Sequence, residues 1–256
     1  MSKNSLKAKS RIEKIKFVNV SSEYVKRRNH NIVLRLVNFI AYQNEITVLI
    51  GSSGSGKTTL LRTILGFQDY GGMIYLDGTD IESIPFKERR LAYVSQQKTL
   101  YPNLTIFDNL AFPLKNEGLS SNEIKQHIQD IAKMFNIEIL LTRKPRHLSG
   151  GQKQKVAFIK AFLSRPDIYL LDEPFSELSN DMKKEMIDII LKIKEEYQAT
   201  FLIASHDIGA LFFDADQIIV LDEGSVIQSG SPEELWNKPI NEKVKAILGQ
   251  QDDKNL

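Results

Sequence analysis

The sequence predicts an α/β fold built on a substantially parallel sheet. Three observations lead there. Short apolar runs alternate with helical patterns along most of the chain. One such run, Ile46–Ile50, ends in the glycine-rich stretch GSSGSGKT and is followed by a helical pattern over 57–66. The middle of the chain, about 97–160, differs in character and reads as a mostly helical insert.

Each element has its own reason. Residues 12–20 and 32–40 read as strands, with a polar loop expected around Lys26–Asn31. Ile74–Leu76, followed by Asp77-Gly78, predicts a strand and a tight turn. Leu91–Val94 is a further short strand. Residues 105–116 and 121–136 read as helices, and Ile124, Ile128, Ile131 and Phe135 place one apolar stripe on the second. Ile168–Leu171 reads as a buried strand, 180–197 as a helix and Thr200–Ala204 as a strand. Residues 217–221 and 225–229 read as a hairpin turning at Glu223-Gly224. Residues 1–11 and 249–256 are expected to be flexible, leaving 12–248 as one domain.

Composition narrows the function classes. The 256 residues carry 34 Lys+Arg against 32 Asp+Glu, a net charge of +2. That is weak support for a nucleic-acid partner, and none is expected. There is no cysteine, so thiol catalysis and thiolate metal sites are excluded. The basic N-terminus lacks the apolar stretch of a signal peptide. No apolar run approaches the ~20 residues of a membrane span, so any work at a membrane is expected to go through a partner.

Residues 51–58, GSSGSGKT, fit G-x-x-x-x-G-K-S/T between a strand and a helix. Gly51, Ser52, Ser53, Gly54, Ser55 and Gly56 form a turn whose backbone N–H groups can surround phosphate oxygens. The helix start adds partial positive charge. Lys57 supplies an ammonium to the outer phosphates, Thr58 a hydroxyl to Mg²⁺ and Thr59 a donor to an inner phosphate. By itself this motif specifies a nucleoside triphosphate.

The run IYLLDEP, 168–174, sets two carboxylates at the end of a buried strand, where ligands gather in open α/β sheets. Asp172 can hold Mg²⁺ beside Thr58, and Glu173 can orient and polarise an attacking water. His206, in SHD after the strand TFLIA, is either a γ-phosphate contact or an ordinary strand-end histidine. His30, His127 and His147 lie in polar stretches and read as surface residues. The stretch LSGGQKQK, 148–155, holds no nucleophile, acid or metal ligand, yet opens a helix with two glycines and a serine, an arrangement suited to an anion.

Together these motifs resemble, in kind and order, the ATP-binding cassette family, specifically the ATPase subunits of membrane transporters, over roughly residues 12–248. The resemblance implies an α/β fold: a P-loop NTPase core with a mixed, largely parallel sheet, an antiparallel β subdomain and a helical subdomain at about 97–160. It implies ATP and Mg²⁺ as cofactors and ATP hydrolysis as the reaction. Gln96, in YVSQ, matches the glutamine joining core and helical subdomain, a residue associated with both metal and catalysis. Glu173 and His206 match the catalytic glutamate and the switch histidine. Thr58 and Asp172 match the Mg²⁺ site. Tyr24 matches the aromatic that stacks on adenine, which gives affinity with little base selectivity. In this family two cassettes pair head to tail, so Ser149, Gly150, Gly151 and Gln152 are expected to grip the γ-phosphate held by the other cassette. Lys153 and Lys155 read as solvated helix charges.

LYPNLTIFDNLAFPLK, 100–115, and the tail LDEGSVIQSGSPEELWNKP are similar to solute importer ATPases, especially those for sugars. Leu100, Tyr101, Leu104 and Phe107 are candidates either for docking on a membrane subunit or for the interior of the helical insert. The partners so implied are transmembrane permease subunits, a second cassette and an extracytoplasmic solute-binding protein, at the cytoplasmic face of the membrane. A chain of 256 residues is expected to lack the extra C-terminal regulatory domain of many sugar-importer ATPases. One departure stands out: Ser179 occupies a position where the family has aspartate. Serine can still cap the helix starting near Asn180. Two other readings stay open: a non-transport cassette ATPase, and a weakly hydrolysing regulatory cassette in a heterodimer. The first would call for a long coiled-coil insertion or two cassettes in one chain. The sequence shows neither.

Overall fold

The computed structural model describes residues 11–26, 29–95, 100–115, 118–163, 165–176 and 178–250. The expectations for the first residues and for the last six lie outside them. Two sheets organise the chain. β1 (Glu13–Lys26), β2 (Asn29–Tyr42), β4 (Gly71–Leu76) and β5 (Thr79–Asp80) form an antiparallel sheet in the order β2-β1-β4-β5. The second sheet holds β3 (Ile46–Ile50), β6 (Leu91–Val94), β7 (Ile168–Asp172), β8 (Thr200–Ser205), β9 (Gln217–Asp222) and β10 (Ser225–Gly230). Its order is β10-β9-β3-β8-β7-β6, and every neighbouring pair is parallel except the β9–β10 hairpin.

β3, β7 and β8 are buried at every position, as expected of parallel strands covered on both faces. Their residues still sort by the period of two. Ile46, Val48, Ile50, Phe201 and Ile203 enter one core. Leu49, Leu202 and Ala204 enter the other, with Leu60, Leu61 and Ile64 of helix α1 (Lys57–Ile64) and Ile15 and Phe17 of the antiparallel sheet.

The polar loop expected around Lys26–Asn31 is corrected. Tyr24 pairs with Asn31, Val25 with His30 and Lys26 with Asn29, so β1 and β2 run on as a ribbon. Backbone pairing needs no apolar side chains, and polarity there is no sign of a loop.

The helical region holds α2 (Ile106–Lys115), α3 (Ser121–Met134) and α4 (Gly150–Leu163). Ser120 and Glu123 form a capping box at the start of α3, and Ile124, Ile128 and Ile131 are buried as the stripe requires. α5 (Asn180–Tyr197) follows β7. Three short helices were not expected from sequence: α6 (Ile208–Leu211), α7 (Pro232–Asn237) and α8 (Glu242–Ile247). Among the described residues no helix is long and apolar enough to cross a membrane.

Candidate functional site: a nucleotide cleft at the strand ends

The carboxyl end of β3 opens into the glycine-rich turn. Gly56 is the N-cap of α1 at φ 106°, a left-handed conformation that favours glycine, and it supplies no side-chain cap. The first N–H groups of α1 therefore keep their capacity for an anion. A Cβ on Gly51 would lie 2.1 Å from the Leu221 carbonyl oxygen, so backbone passes backbone there. The hydroxyl of Ser55 is buried without a hydrogen-bond partner. Lys57 is 6% exposed, and its ammonium donates to the carbonyls of Gly51 and Ser52 at 2.8 and 3.0 Å. Burial lowers the Lys57 pKa, while Glu173 and Asp172 pull it back up. Ser52 and Ser53 are exposed.

Asp172 is 5% exposed at the end of β7. Its Oδ1 accepts from Thr58 Oγ1 at 2.9 Å and its Oδ2 from Tyr93 Oη at 3.1 Å. Glu173 adopts φ 52°, and its N–H donates to the Ala204 carbonyl at 2.8 Å. A non-glycine residue in that region is strained and is typical of functional sites. Glu173 Oε2 lies 2.6 Å from His206 Nδ1 and also accepts from His206 N at 3.2 Å. Tyr24 is 40% exposed, with its hydroxyl 3.4 Å from Thr59 Oγ1. These elements enclose a cleft of about 660 Å³ lined by Tyr24, Ser53, Gly54, Lys57, Glu173 and His206 among others. The structure thus brings Tyr24, the glycine-rich turn, Asp172, Glu173 and His206 together. Gln96 lies outside the described residues.

The stretch LSGGQKQK, 148–155, which the resemblance identifies as the family's signature stretch, lies apart from the cleft lining. Ser149 Oγ accepts from Gln152 N at 3.3 Å, and Gln152 Oε1 accepts from Ser149 N at 3.1 Å, a reciprocal cap on α4. Gly150 is exposed, whereas Gly151 is buried. A Cβ on Gly151 would lie 2.3 Å from Met182 Cε. The reading of Lys155 as a solvated charge is corrected: it is 8% exposed and ion-paired with Glu185 of α5. The capping expectation for Ser179 is corrected too. Ser179 is the N-cap of α5 and exposed, but its side chain makes no capping hydrogen bond.

A family profile described as ABC transporter matches residues 34–176. The chain belongs to the ABC transporter family. This ABC chain is 36% identical over 226 residues to a spermidine/putrescine import ATP-binding protein of Mannheimia succiniciproducens, covering 88% of this chain and 61% of the relative. It is 36% identical over 238 residues to a glucose import ATP-binding protein of Saccharolobus solfataricus, covering 91% and 67%. The chain thus spans roughly two thirds or less of the length of these curated relatives. Among solved structures, a dimeric ATP-binding cassette in a post-hydrolysis state with ADP and Pi superposes with TM-score 0.78 at 30% identity, covering 85% of this chain and 98% of that one. A cassette from Clostridium perfringens that is part of an ABC transporter complex gives TM-score 0.77 at 26% identity, covering 93% and 96%. The mixed two-sheet architecture is that of the ABC cassettes.

Sequence reasoning on this ABC chain missed Tyr93, Met182, Lys183 and Asp207. Tyr93 shares one face of β6 with Leu91 and sits three positions before Gln96. The short run LAYV marks a strand but gives no sign that the Tyr93 hydroxyl meets Asp172 on the neighbouring strand β7.

Proposed function

We propose that this chain is the ATP-hydrolysing cassette of a membrane transporter, and that residues 12–248 act as one cassette. The observation that carries the reading is the convergence at one cleft of Lys57, the Thr58–Asp172 pair and the Glu173–His206 pair. The residues suit the groups they would hold. The uncapped start of α1 leaves N–H groups that a triphosphate would satisfy. Thr58 and Asp172 offer the oxygen ligands that Mg²⁺ takes, with Gln96 assigned as a third. When bound, Mg²⁺ offsets phosphate charge.

In this reading Lys57 and the turn 51–56 hold the phosphates, and Thr59 adds a donor to an inner one. Tyr24 presents its ring to the adenine. Glu173 accepts hydrogen bonding from the attacking water and polarises it. His206 steadies the Glu173 carboxylate through Nδ1 and its backbone N–H, a role set by contact with the glutamate and compatible with a second contact to the γ-phosphate. Catalysis then rests on positioning and charge.

Ser149, Gly150, Gly151 and Gln152 do not line their own chain's cleft among the described residues, which supports a role toward a second cassette. ATP closes such a pair only if it binds the closed dimer better than the open one. Tyr101 and Leu104 are 41% and 36% exposed, whereas Leu100 and Phe107 pack against the core. We assign the first two to docking on a permease subunit at the cytoplasmic face of the membrane, and the second two to the interior. The buried Asn109 amide bonds both the N–H and the carbonyl of Tyr101, fixing the turn that presents them. The relatives are import ATP-binding proteins for cargoes as unlike as a polyamine and a sugar. This supports an importer role in which other subunits, including an extracytoplasmic solute-binding protein, select the solute. Ser179, without a carboxylate, favours one variant of this reading: a slow homodimer, or a heterodimer with a cassette that supplies the aspartate.

The test is co-purification from the native membrane followed by reconstitution of the complex in vesicles. Solute uptake that requires ATP and is abolished by Glu173→Gln is expected. Uptake independent of ATP, or purification without any membrane subunit, would overturn the transporter reading.

A further inference from the structure

The turn that carries His206 is fixed from outside the cleft. β8 ends at Ser205, whose hydroxyl accepts from Asp207 N at 3.0 Å and donates to the Asp207 carbonyl at 3.2 Å. Asp207 Oδ1 accepts from Gly209 N at 3.1 Å and caps α6. Asp207 Oδ2 accepts from Lys183 Nζ in an ion pair whose side chains are only about a quarter exposed. The hydrogen bond from Lys183, above all, holds the Asp207 carboxyl below the usual carboxylate range. Lys183 lies in the first turn of α5, and its N–H donates to the Ser179 carbonyl at 2.9 Å. The preceding residue, Met182, lies against Gly151. One helical turn therefore touches the Ser179 loop, the signature stretch and the switch turn.

We propose that Lys183, acting through Asp207, is a positioning residue that sets His206 against Glu173 and ties the switch to the Ser179 loop. This rests on the roles given above to Glu173 and His206. The His206 side chain is 58% exposed, so packing does little to direct its ring and the backbone of the turn decides where it stands. A partly buried ion pair is screened less than a surface pair and can anchor that backbone. A second cassette pressing on the Ser179 loop would move the first turn of α5, then Asp207, then the histidine.

The test measures steady-state hydrolysis and equilibrium ATP binding on the full chain. Lys183→Ala is expected to lower kcat about tenfold while the Kd for ATP changes by less than about twofold. Lys183→Arg keeps charge and reach and recovers most of the loss. Asp207→Asn keeps a capping oxygen for α6, and its kcat matches that of Lys183→Ala. The double variant is no slower than either single one, as expected of partners in one interaction. Wild-type kcat in Lys183→Ala, a loss that arginine does not recover, multiplied losses in the double variant, or a parallel rise in Kd would each overturn the proposal. Glu173→Gln separates the levels. If it turns over normally, the reading of the cleft falls and takes this proposal with it. If it is dead while Lys183→Ala is silent, this proposal alone falls.

Discussion

Tyr93 and Thr58 hold opposite oxygens of one carboxylate: Tyr93 Oη donates to Asp172 Oδ2 at 3.1 Å and Thr58 Oγ1 donates to Oδ1 at 2.9 Å. The donors come from β6 and α1, so two elements fix the orientation of a residue on a third. Burial, then the charge and hydrogen bond of Asp172, push the Tyr93 phenol up to about 12. It remains a proton donor at neutral pH. Tyr93→Phe removes the donor and keeps the ring. The Mg²⁺ concentration for half-maximal hydrolysis is expected to rise about tenfold, as for other partners that orient a metal ligand. A Mg²⁺ titration of the ATPase rate checks this. An unchanged midpoint would leave Thr58 as the sole determinant of Asp172 orientation.

Glu173→Gln keeps the length of the side chain and removes its charge. Thr58 and Asp172 are untouched, so nucleotide binding is expected to persist while turnover falls by about a hundredfold or more. Trapped ATP then holds the paired state. Light scattering should show a dimer with Mg-ATP and a monomer without it. Wild-type turnover in this variant would remove Glu173 from the reaction.

Ser179→Asp installs the aspartate that the family resemblance leads one to expect at this position. The serine hydroxyl makes no capping bond, so an aspartate is expected to gain a cap of ~1 kcal/mol and a further ~0.3–1 kcal/mol from the helix dipole. The melting temperature should rise by a few degrees. A charge-assisted contact across the dimer, ~1.5–3 kcal/mol, would raise hydrolysis by about ten- to a hundredfold if it acts wholly on the transition state. Hydrolysis measured in the assembled transporter decides the second effect. A higher melting temperature with an unchanged rate would mean that Ser179 is compensated elsewhere.

Tyr101 and Leu104 lie at the surface, and the Tyr101 ring stacks at a tilt on Phe112 with centroids 4.9 Å apart. Each is still more than half buried, so changing both to Ser also removes some packing within the chain. A stability loss of about 1–3 kcal/mol is expected, with ATP affinity unchanged and permease association reduced at least about tenfold. Pull-down of the membrane subunits by the variant checks it. Unfolding of the double variant would make these side chains core.

The strands and the glycine-rich turn were legible because their signals are local. Ile46–Ile50 is apolar throughout, and a turn needing Gly56 at positive φ permits few other residues. The β1–β2 ribbon was misjudged at Lys26–Asn31 because pairing is a backbone property that polarity does not report. Asp172, Glu173 and His206 were legible as strand-end groups. Tyr93, Lys183 and Asp207 were not, because each matters through a partner far along the chain: Asp172 for the first, and one another for the other two. Lys155 was misread for the same reason, since Glu185 lies on another helix. The short helices α6, α7 and α8 span four to six residues each, too few to display a period.

Gly151 separates two reasons for a glycine in the signature stretch. The resemblance suggests that glycine lets the backbone approach a phosphate of the other cassette. The structure gives another reason: a Cβ here would lie 2.3 Å from Met182 Cε, 2.5 Å from its sulfur and 3.3 Å from Leu178 Cδ2, all within the same chain. The methionine tip is flexible and can swing aside, so overpacking should cost near the lower end of its range, ~1 kcal/mol. Gly151 is the second residue of α4, where replacing glycine by alanine returns part of the ~1 kcal/mol found in a helix interior. The two partly cancel, and Gly151→Ala is expected to melt within a few degrees of the wild type. Hydrolysis should nevertheless fall about tenfold, because the displaced Met182 adjoins Lys183 in the first turn of α5, the turn argued to set His206. If packing is the reason, Met182→Ala in the same chain makes room for the methyl group and restores most of the rate. A double variant as slow as Gly151→Ala alone would mean that the methyl group obstructs the phosphate of the second cassette instead.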